Sequence, residues 1–91
     1  MSDETTAGAN NGMQISKELS YGEKAVGITF NPGGRDDVNT CKTIFAGAID
    51  QLDALRKLEE GPSEKGRLLS AAITQIQTAQ MWAVKAITWT D

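Results

Sequence analysis

Two apolar stripes with helical spacing constrain the fold of this chain more than any other feature. The first lies between Asp36 and Glu60, with steps of three or four residues, and comprises Val38, Cys41, Phe45, Ala48, Leu52 and Leu55, widened by Ile44, Ile49 and Leu58. The second has the same steps and comprises Leu69, Ala72, Ile76, Ala79, Ala83 and Ala86. Gly61 and Pro62 separate the stripes, in the order typical of a helix end. The sequence therefore predicts an antiparallel helical hairpin, with Asp36 and Ser63 as the N-caps.

The second predicted helix carries more apolar surface than one neighbouring helix can cover. Between Met81 and Trp89 apolar side chains occur around nearly the whole circumference, interrupted by Lys85. In a chain of 91 residues the expected cover is another copy of the same chain. We therefore expect an obligate homo-oligomer, in which Lys85 reaches solvent or meets an acidic or anionic partner.

The residues before the hairpin divide into a polar tail and a short apolar segment. Residues 1–14 predict a disordered tail, which leaves residues 15–91 as a single domain. Residues 25–30, AVGITF, combine β-branched and aromatic residues and predict an extended segment or short strand. The expected fold class is thus mainly α, an antiparallel hairpin preceded by a short extended segment.

Composition disfavours several functional classes. The sequence has no histidine and a single Cys41, which disfavours Ser–His and Cys–His catalysis, histidine-containing zinc sites and an internal disulfide. The net charge is −3 without a basic run, so DNA and RNA are not expected partners. Neither a signal peptide nor a membrane-spanning stretch is expected. We expect a cytoplasmic binding protein without metal or cofactor, and not an enzyme.

The segment FNPGGRD, from Phe30 to Asp36, has two interpretations. As a turn, Pro32 fixes one backbone angle, Gly33 and Gly34 adopt conformations that other residues resist, and Asp36 caps the helix. As a site, the glycine amides lie at a helix N-terminus where phosphate is favoured, Arg35 pairs with that phosphate and Phe30 stacks on a base. The negative charges of Asp36 and Asp37 oppose the second interpretation. The sequence alone leaves both open.

The segments ITFNPGGRDDV and AAITQIQTAQMWAVKAIT together resemble the phage sponge proteins that defeat CBASS and Thoeris immunity, which share a helical-hairpin domain. The resemblance covers residues 28–88, and its sharpest element is Thr74 followed by Ala79, Met81, Trp82 and Ala83. It implies a hexamer-like homo-oligomer, in the cytoplasm of an infected bacterial host, that binds cyclic nucleotides or cyclic ADP-ribose signals without cleaving them. This chain differs from some members of that family, which have a tyrosine at the position of Phe30, an acidic residue at the position of Gln77 and an asparagine at the position of Val84.

The resemblance also assigns site residues. The aromatic residue that stacks on a base corresponds to Phe30, and the basic side chains that hold phosphates correspond to Arg35, Lys42 and Arg67. Composition alone favours solvated surface charges for Lys42 and Arg67. The full set of expected ligand-binding residues is Phe30, Asn31, Pro32, Gly33, Gly34, Arg35, Lys42 and Arg67. The alternative hypothesis is a helical oligomer that binds or inhibits another protein through its apolar surface.

Overall fold

The fold consists of one short helix followed by a hairpin of two long helices. The computed structural model describes residues 18–91, so the predicted tail at residues 1–14 lies outside the described residues. Helix α1 comprises Tyr21–Ala25, α2 comprises Asp36–Lys57 and α3 comprises Glu64–Ile87. Helix α2 packs against both α1 and α3, whereas α1 and α3 make little contact with each other. The predicted antiparallel hairpin is confirmed.

Helix α1 is short and is fixed by its cap and its contact with α2. The Ser20 hydroxyl accepts a hydrogen bond from the Glu23 N–H, and the Glu23 carboxylate accepts one from the Ser20 N–H, which satisfies two amides at the helix start. The Gly22 N–H donates to Asp50 Oδ1 on α2 over 2.6 Å. A side chain at Gly22 would overlap the Ala46 carbonyl, so only glycine allows this close approach.

The segment after α1 is a turn, and the prediction of an extended segment or short strand at residues 25–30 is wrong. Val26 has helical backbone angles, and Gly27 has a φ of 63°, which is the left-handed conformation that glycine favours at helix ends. Four amides in this segment donate to backbone carbonyls within five residues. The glycine and the local hydrogen bonds therefore outweigh the β propensity of the apolar residues around them.

The core lies between α2, α3 and the end of α1, and it agrees with the predicted stripes only in part. Val26, Ala46, Ile49 and Ile73 form the buried cluster, and Ile49 is fully buried. Ile49 belongs to the predicted α2 stripe, and Phe45, Leu52 and Ile76 of the two stripes pack against the cluster. Ala46 and Ile73 were not in the stripes, and Ala46 is buried on the side of α2 where Gly22 of α1 approaches its carbonyl.

The N-termini of the two hairpin helices are capped differently. The residue before α2 is Arg35, which makes no side-chain cap bond, and Asp36 is the first helical residue, so the prediction of Asp36 as N-cap is wrong. Ser63 caps α3 as predicted, because its hydroxyl accepts from the Gly66 N–H at 2.9 Å. Gly61 has a φ of 88° in the turn between the helices.

A charged cluster at the C-terminal end of α2 contacts both other helices. Asp53 is buried and pairs with Arg56 at 2.7 Å and with Lys57 at 3.1 Å. The Arg56 guanidinium also donates to Ser70 Oγ on α3 and lies 5.4 Å from the centroid of the Tyr21 ring on α1. Hydrogen bonding from Arg56, and then from Lys57, lowers the pKa of Asp53.

None of the helices within residues 18–91 has the length and apolarity that crossing a bilayer requires.

Candidate ligand-binding site

A cavity of about 310 Å³ lies where the segment before α2 meets the end of α3. Its lining residues come from the FNPGGRD segment, from the first two turns of α2 and from the last turns of α3. They are Phe30, Asn31, Pro32, Gly33, Arg35, Val38, Lys42, Val84 and Thr88. This volume is near the lower end of the range, about 300–1,000 Å³, that small-molecule sites occupy. We call it the loop cavity.

Phe30 presents a large aromatic surface at the rim of the loop cavity. The residue is 71% exposed, which is unusual because phenylalanine is among the residues most often buried. The Phe30 N–H donates to the Gly27 carbonyl at 2.9 Å, so its backbone is held by the preceding turn. An exposed ring on a fixed backbone is the arrangement that stacking on a planar ligand requires.

Asn31 closes the turn that leads into α2. Its side-chain amide donates to the Arg35 carbonyl at 2.8 Å and its amide oxygen accepts from the Arg35 N–H at 3.2 Å. The Gly34 N–H donates to the Asn31 carbonyl, and Gly34 has a φ of 60°. The Gly34 amide is therefore hydrogen-bonded within the chain, as a turn at these residues requires.

Arg35 supplies positive charge at the loop cavity but is already paired. Its guanidinium donates from Nε and Nη2 to the two carboxylate oxygens of Asp37, at 3.0 and 2.8 Å. These hydrogen bonds raise the pKa of Arg35 and lower the pKa of Asp37. Both side chains are about half exposed, so a phosphate could reach the guanidinium N–H groups that Asp37 leaves unused.

Lys42 is the buried cation of the site, and the expectation of a solvated surface charge is wrong for it. Only 5% of Lys42 is exposed. Its ammonium donates to the Gly27 carbonyl at 2.9 Å and to the Phe30 carbonyl, and it lies 5.5 Å from the centroid of the Phe30 ring. The buried charge is thus compensated by backbone oxygens of the turn that follows α1.

Arg67 is not brought to the loop cavity. It lies in the first turn of α3, 17 residues before Val84, which corresponds to about 25 Å along the helix. Its guanidinium pairs with Glu64 at 2.6 Å, and both side chains are about two-thirds exposed, as expected of a solvated charge. Hydrogen bonding between them raises the pKa of Arg67 and lowers the pKa of Glu64. Gly34 also lies outside the residues that line the cavity.

An apolar patch lies on α3 beside the loop cavity, as the sequence predicted. Met81, Trp82 and Trp89 are each more than 60% exposed in a single copy of the chain. Lys85 is exposed among them, and its ammonium lies 5.7 Å from the centroid of the Trp89 ring. Trp82, Lys85, Ala86 and Trp89 line a shallow cavity of about 400 Å³. Aromatic surface of this extent is uncommon on a monomeric protein.

Three lining residues were absent from the predicted site. Val38, Val84 and Thr88 complete the loop cavity from the two long helices. The signal for the α3 residues was the antiparallel pairing itself, because the end of α3 must lie beside the beginning of α2 in a two-helix hairpin. Residues 18–91 contain no group of His, Cys, Asp and Glu side chains that could hold a metal ion.

The described residues form a helical-hairpin domain with a cavity where the segment before α2 meets the end of α3. The family model of the Acb2/Tad1 hairpin domain matches residues 23–88 of this chain. The match covers most of the chain, which therefore belongs to this family of anti-CBASS and anti-Thoeris sponge proteins. Comparison with curated proteins and with solved structures gave no match.

Proposed function

We propose that this protein is a phage-encoded sponge that binds cyclic oligonucleotide or cyclic ADP-ribose immune signals in the host cytoplasm and withholds them from CBASS or Thoeris effectors. Membership of the Acb2/Tad1 hairpin family supports the general role. The single observation that carries the assignment to this part of the molecule is the exposed Phe30 ring beside the loop cavity. No catalytic residue is assigned, and the protein is proposed to bind without cleaving.

Each part of a cyclic nucleotide has a counterpart in the loop cavity. A base stacks on Phe30, because aromatic rings bind bases through their faces irrespective of sequence. A phosphate binds the guanidinium of Arg35, which can make charge-assisted hydrogen bonds with the N–H groups not used by Asp37. Apolar contacts from Val38 and Val84 then cover the sugar and base edges.

A second copy of the chain completes the site. A cavity of about 310 Å³ accommodates one nucleotide unit, whereas the proposed ligands have at least two phosphates, so a single copy encloses only part of them. The apolar patch of Met81, Trp82 and Trp89 lies on the same end of α3 and is the surface that the second copy covers. We propose a homo-oligomer, a hexamer by analogy with the family.

Light scattering tests the oligomer. We expect a mass several times that of one 9.7 kDa chain at micromolar concentration, and Trp82→Glu should reduce it by placing a charge in the interface. Gln75→Glu serves as the control, because Gln75 is exposed on α3 outside the patch. A folded wild-type protein with the mass of one chain would contradict the proposed assembly.

A thermal-shift screen tests the ligand class. The panel comprises cyclic di-AMP, cyclic di-GMP, cyclic tri-AMP and cyclic ADP-ribose, since a ligand that binds the folded state raises the melting temperature by mass action. We expect at least one member to raise it, and linear dinucleotides to raise it less. A flat screen would favour the alternative function, in which the apolar patch binds another protein.

A further inference from the structure

We propose that Lys42 is a positioning residue that holds the Phe30 ring in place and does not itself contact the phosphate of the ligand. The inference deepens the proposed function and rests on it, because it assigns a role within the same loop cavity. It differs from the role that the family resemblance gives to this lysine, which is that of a phosphate-binding cation.

The hydrogen bonds of Lys42 tie the turn after α1 to the beginning of α2. The ammonium donates to the carbonyls of Gly27 and Phe30, which are the two ends of the turn whose own hydrogen bond joins the Phe30 N–H to the Gly27 oxygen. An α2 side chain thus holds both ends of the segment that carries the aromatic ring. Without the ammonium, the Gly27 carbonyl would keep its hydrogen bond from the Phe30 N–H, but the Phe30 carbonyl would lose the bond that ties it to α2.

The ring contact places the cation on one side of Phe30. The Lys42 ammonium lies 5.5 Å from the ring centroid, within the distance of a cation–π interaction. The side chain of Phe30 is nevertheless 71% exposed, so much of the ring remains available to a base. Lys42 therefore contacts the Phe30 ring and restricts its motion, while much of the ring stays accessible to the ligand.

A direct phosphate contact could use only the one N–H donor that the two backbone carbonyls leave to Lys42. An ammonium has three N–H donors, and two are used by backbone carbonyls in a side chain that is 5% exposed. Arg35 lines the same cavity with a half-exposed guanidinium that has free donors. The half-exposed Arg35 is thus the more accessible donor for the phosphate, whereas an ammonium that moved from the turn toward the phosphate would leave the Phe30 carbonyl without its lysine partner.

A double-mutant cycle distinguishes the two roles of Lys42. Affinity for the tightest-binding member of the cyclic nucleotide panel is measured by calorimetry for Lys42→Met, Phe30→Ala and the double variant. If Lys42 acts through Phe30, Lys42→Met should lower affinity about ten-fold in the wild-type background and about two-fold or less in the Phe30→Ala background, since distant or independent effects add and coupled ones do not. Equal losses in both backgrounds would overturn the proposal.

A charge-conserving variant gives a second test. Lys42→Arg keeps the positive charge but replaces a compact ammonium by a planar guanidinium that fits the two carbonyls poorly, so we expect affinity to fall about as far as in Lys42→Met. Retained or improved affinity would indicate a phosphate contact and overturn the proposal. Lys65→Met, which removes an exposed charge near the hairpin turn, is the control for net charge and should leave affinity unchanged.

Two measurements keep the inference testable where a variant does not fold or no ligand is found. A crystal structure of the ligand-saturated wild-type protein should show the Lys42 ammonium on the Gly27 and Phe30 carbonyls, and an ammonium bonded to the phosphate in their place would overturn the proposal. If no member of the panel binds, the proposed function fails while the positioning role is judged in the free protein. Lys42→Met should then accelerate amide hydrogen exchange at Phe30, and unchanged exchange would overturn it.

Discussion

The segment that precedes α2 and the turn between α2 and α3 are held in place by different kinds of hydrogen bond. The leading segment, residues 18–35, is tied to α2 by hydrogen bonds between residues far apart in sequence, from Gly22 to Asp50 and from Lys42 to Gly27 and Phe30. The hairpin turn, residues 58–63, has bonds within its own neighbourhood, such as those from Ser63 to Glu59 and from Glu59 to Arg56. Long-range bonds fix a segment relative to the core, which is what a binding surface requires.

The largest effect is expected where the leading segment touches α2 most closely. Gly22→Ala should destabilise the fold by about 3 kcal/mol or more, because the added methyl group would overlap the Ala46 carbonyl and push α1 away. Gly47→Ala is the matched control on the open side of α2, where an added methyl group meets no atom within 4 Å, and it should stabilise by about 0.5–1 kcal/mol. Chemical denaturation measures both, and equal stabilities would mean that α1 does not dock as described.

The next effect concerns the ring that the leading segment presents. Phe30→Ala should remove a stacking contact of about 1–3 kcal/mol, which corresponds to a ten- to hundred-fold loss of affinity. The melting temperature should change little, because most of the ring is exposed. Calorimetry and thermal melts of the same variant separate the possibilities, and a lower melting temperature with unchanged affinity would make Phe30 a packing residue.

Arginine at each end of the hairpin gives a direct comparison. Arg35→Ala should weaken ligand binding about ten-fold and reduce its salt dependence, because a charge-assisted hydrogen bond to phosphate is lost. Arg67→Ala should leave affinity for the loop cavity unchanged, since Arg67 lies at the other end of α3 and pairs with Glu64. Titrations at two salt concentrations check both variants. A larger effect at Arg67 would move the phosphate site to the hairpin turn.

The smallest effect is the acid sensitivity of the cluster that joins both regions. Hydrogen bonding lowers the pKa of Asp53 in the folded state, so its contribution to stability is present above its ordinary value of 3.8 and is lost as pH falls through the lower folded value. Asp53→Asn should therefore lower the melting temperature at neutral pH and flatten its fall below pH 4 relative to wild type. Parallel pH-dependent melts of the two proteins with the same slope would contradict this role.

The sequence predicted the parts of the fold that depend on neighbouring residues. Apolar spacing located both long helices, and Gly61, Pro62 and Ser63 located the turn between them. Ser20 followed by Glu23 also has the spacing of a capping box, which is a local signal in the sequence for the start of α1. The apolar spacing alone could not predict that Ala46 on α2 is buried, because its burial depends on where α1 packs.

The sequence predicted the loop residues of the candidate site, but it could not predict which groups hold the Lys42 ammonium. Phe30, Asn31, Pro32, Gly33 and Arg35 are adjacent in sequence and line one cavity. The role of Lys42 depends on carbonyls that precede it by 12 and 15 residues and that come within reach only after the turn at Gly27 forms. Arg67 was assigned by resemblance to the family, and the distance along α3 separates it from the cavity in a single copy.

Recovery of the bound nucleotide tests whether the protein sequesters its ligand intact at the loop cavity. Wild-type protein is saturated with the tightest-binding member of the panel, separated from free ligand, denatured by heat and analysed by chromatography. The account predicts stoichiometric release of the intact cyclic nucleotide, with the Phe30→Ala protein retaining at most a small fraction of that amount under the same conditions. Release of a linear or hydrolysed product, or equal retention by both proteins, would contradict sequestration at the loop cavity.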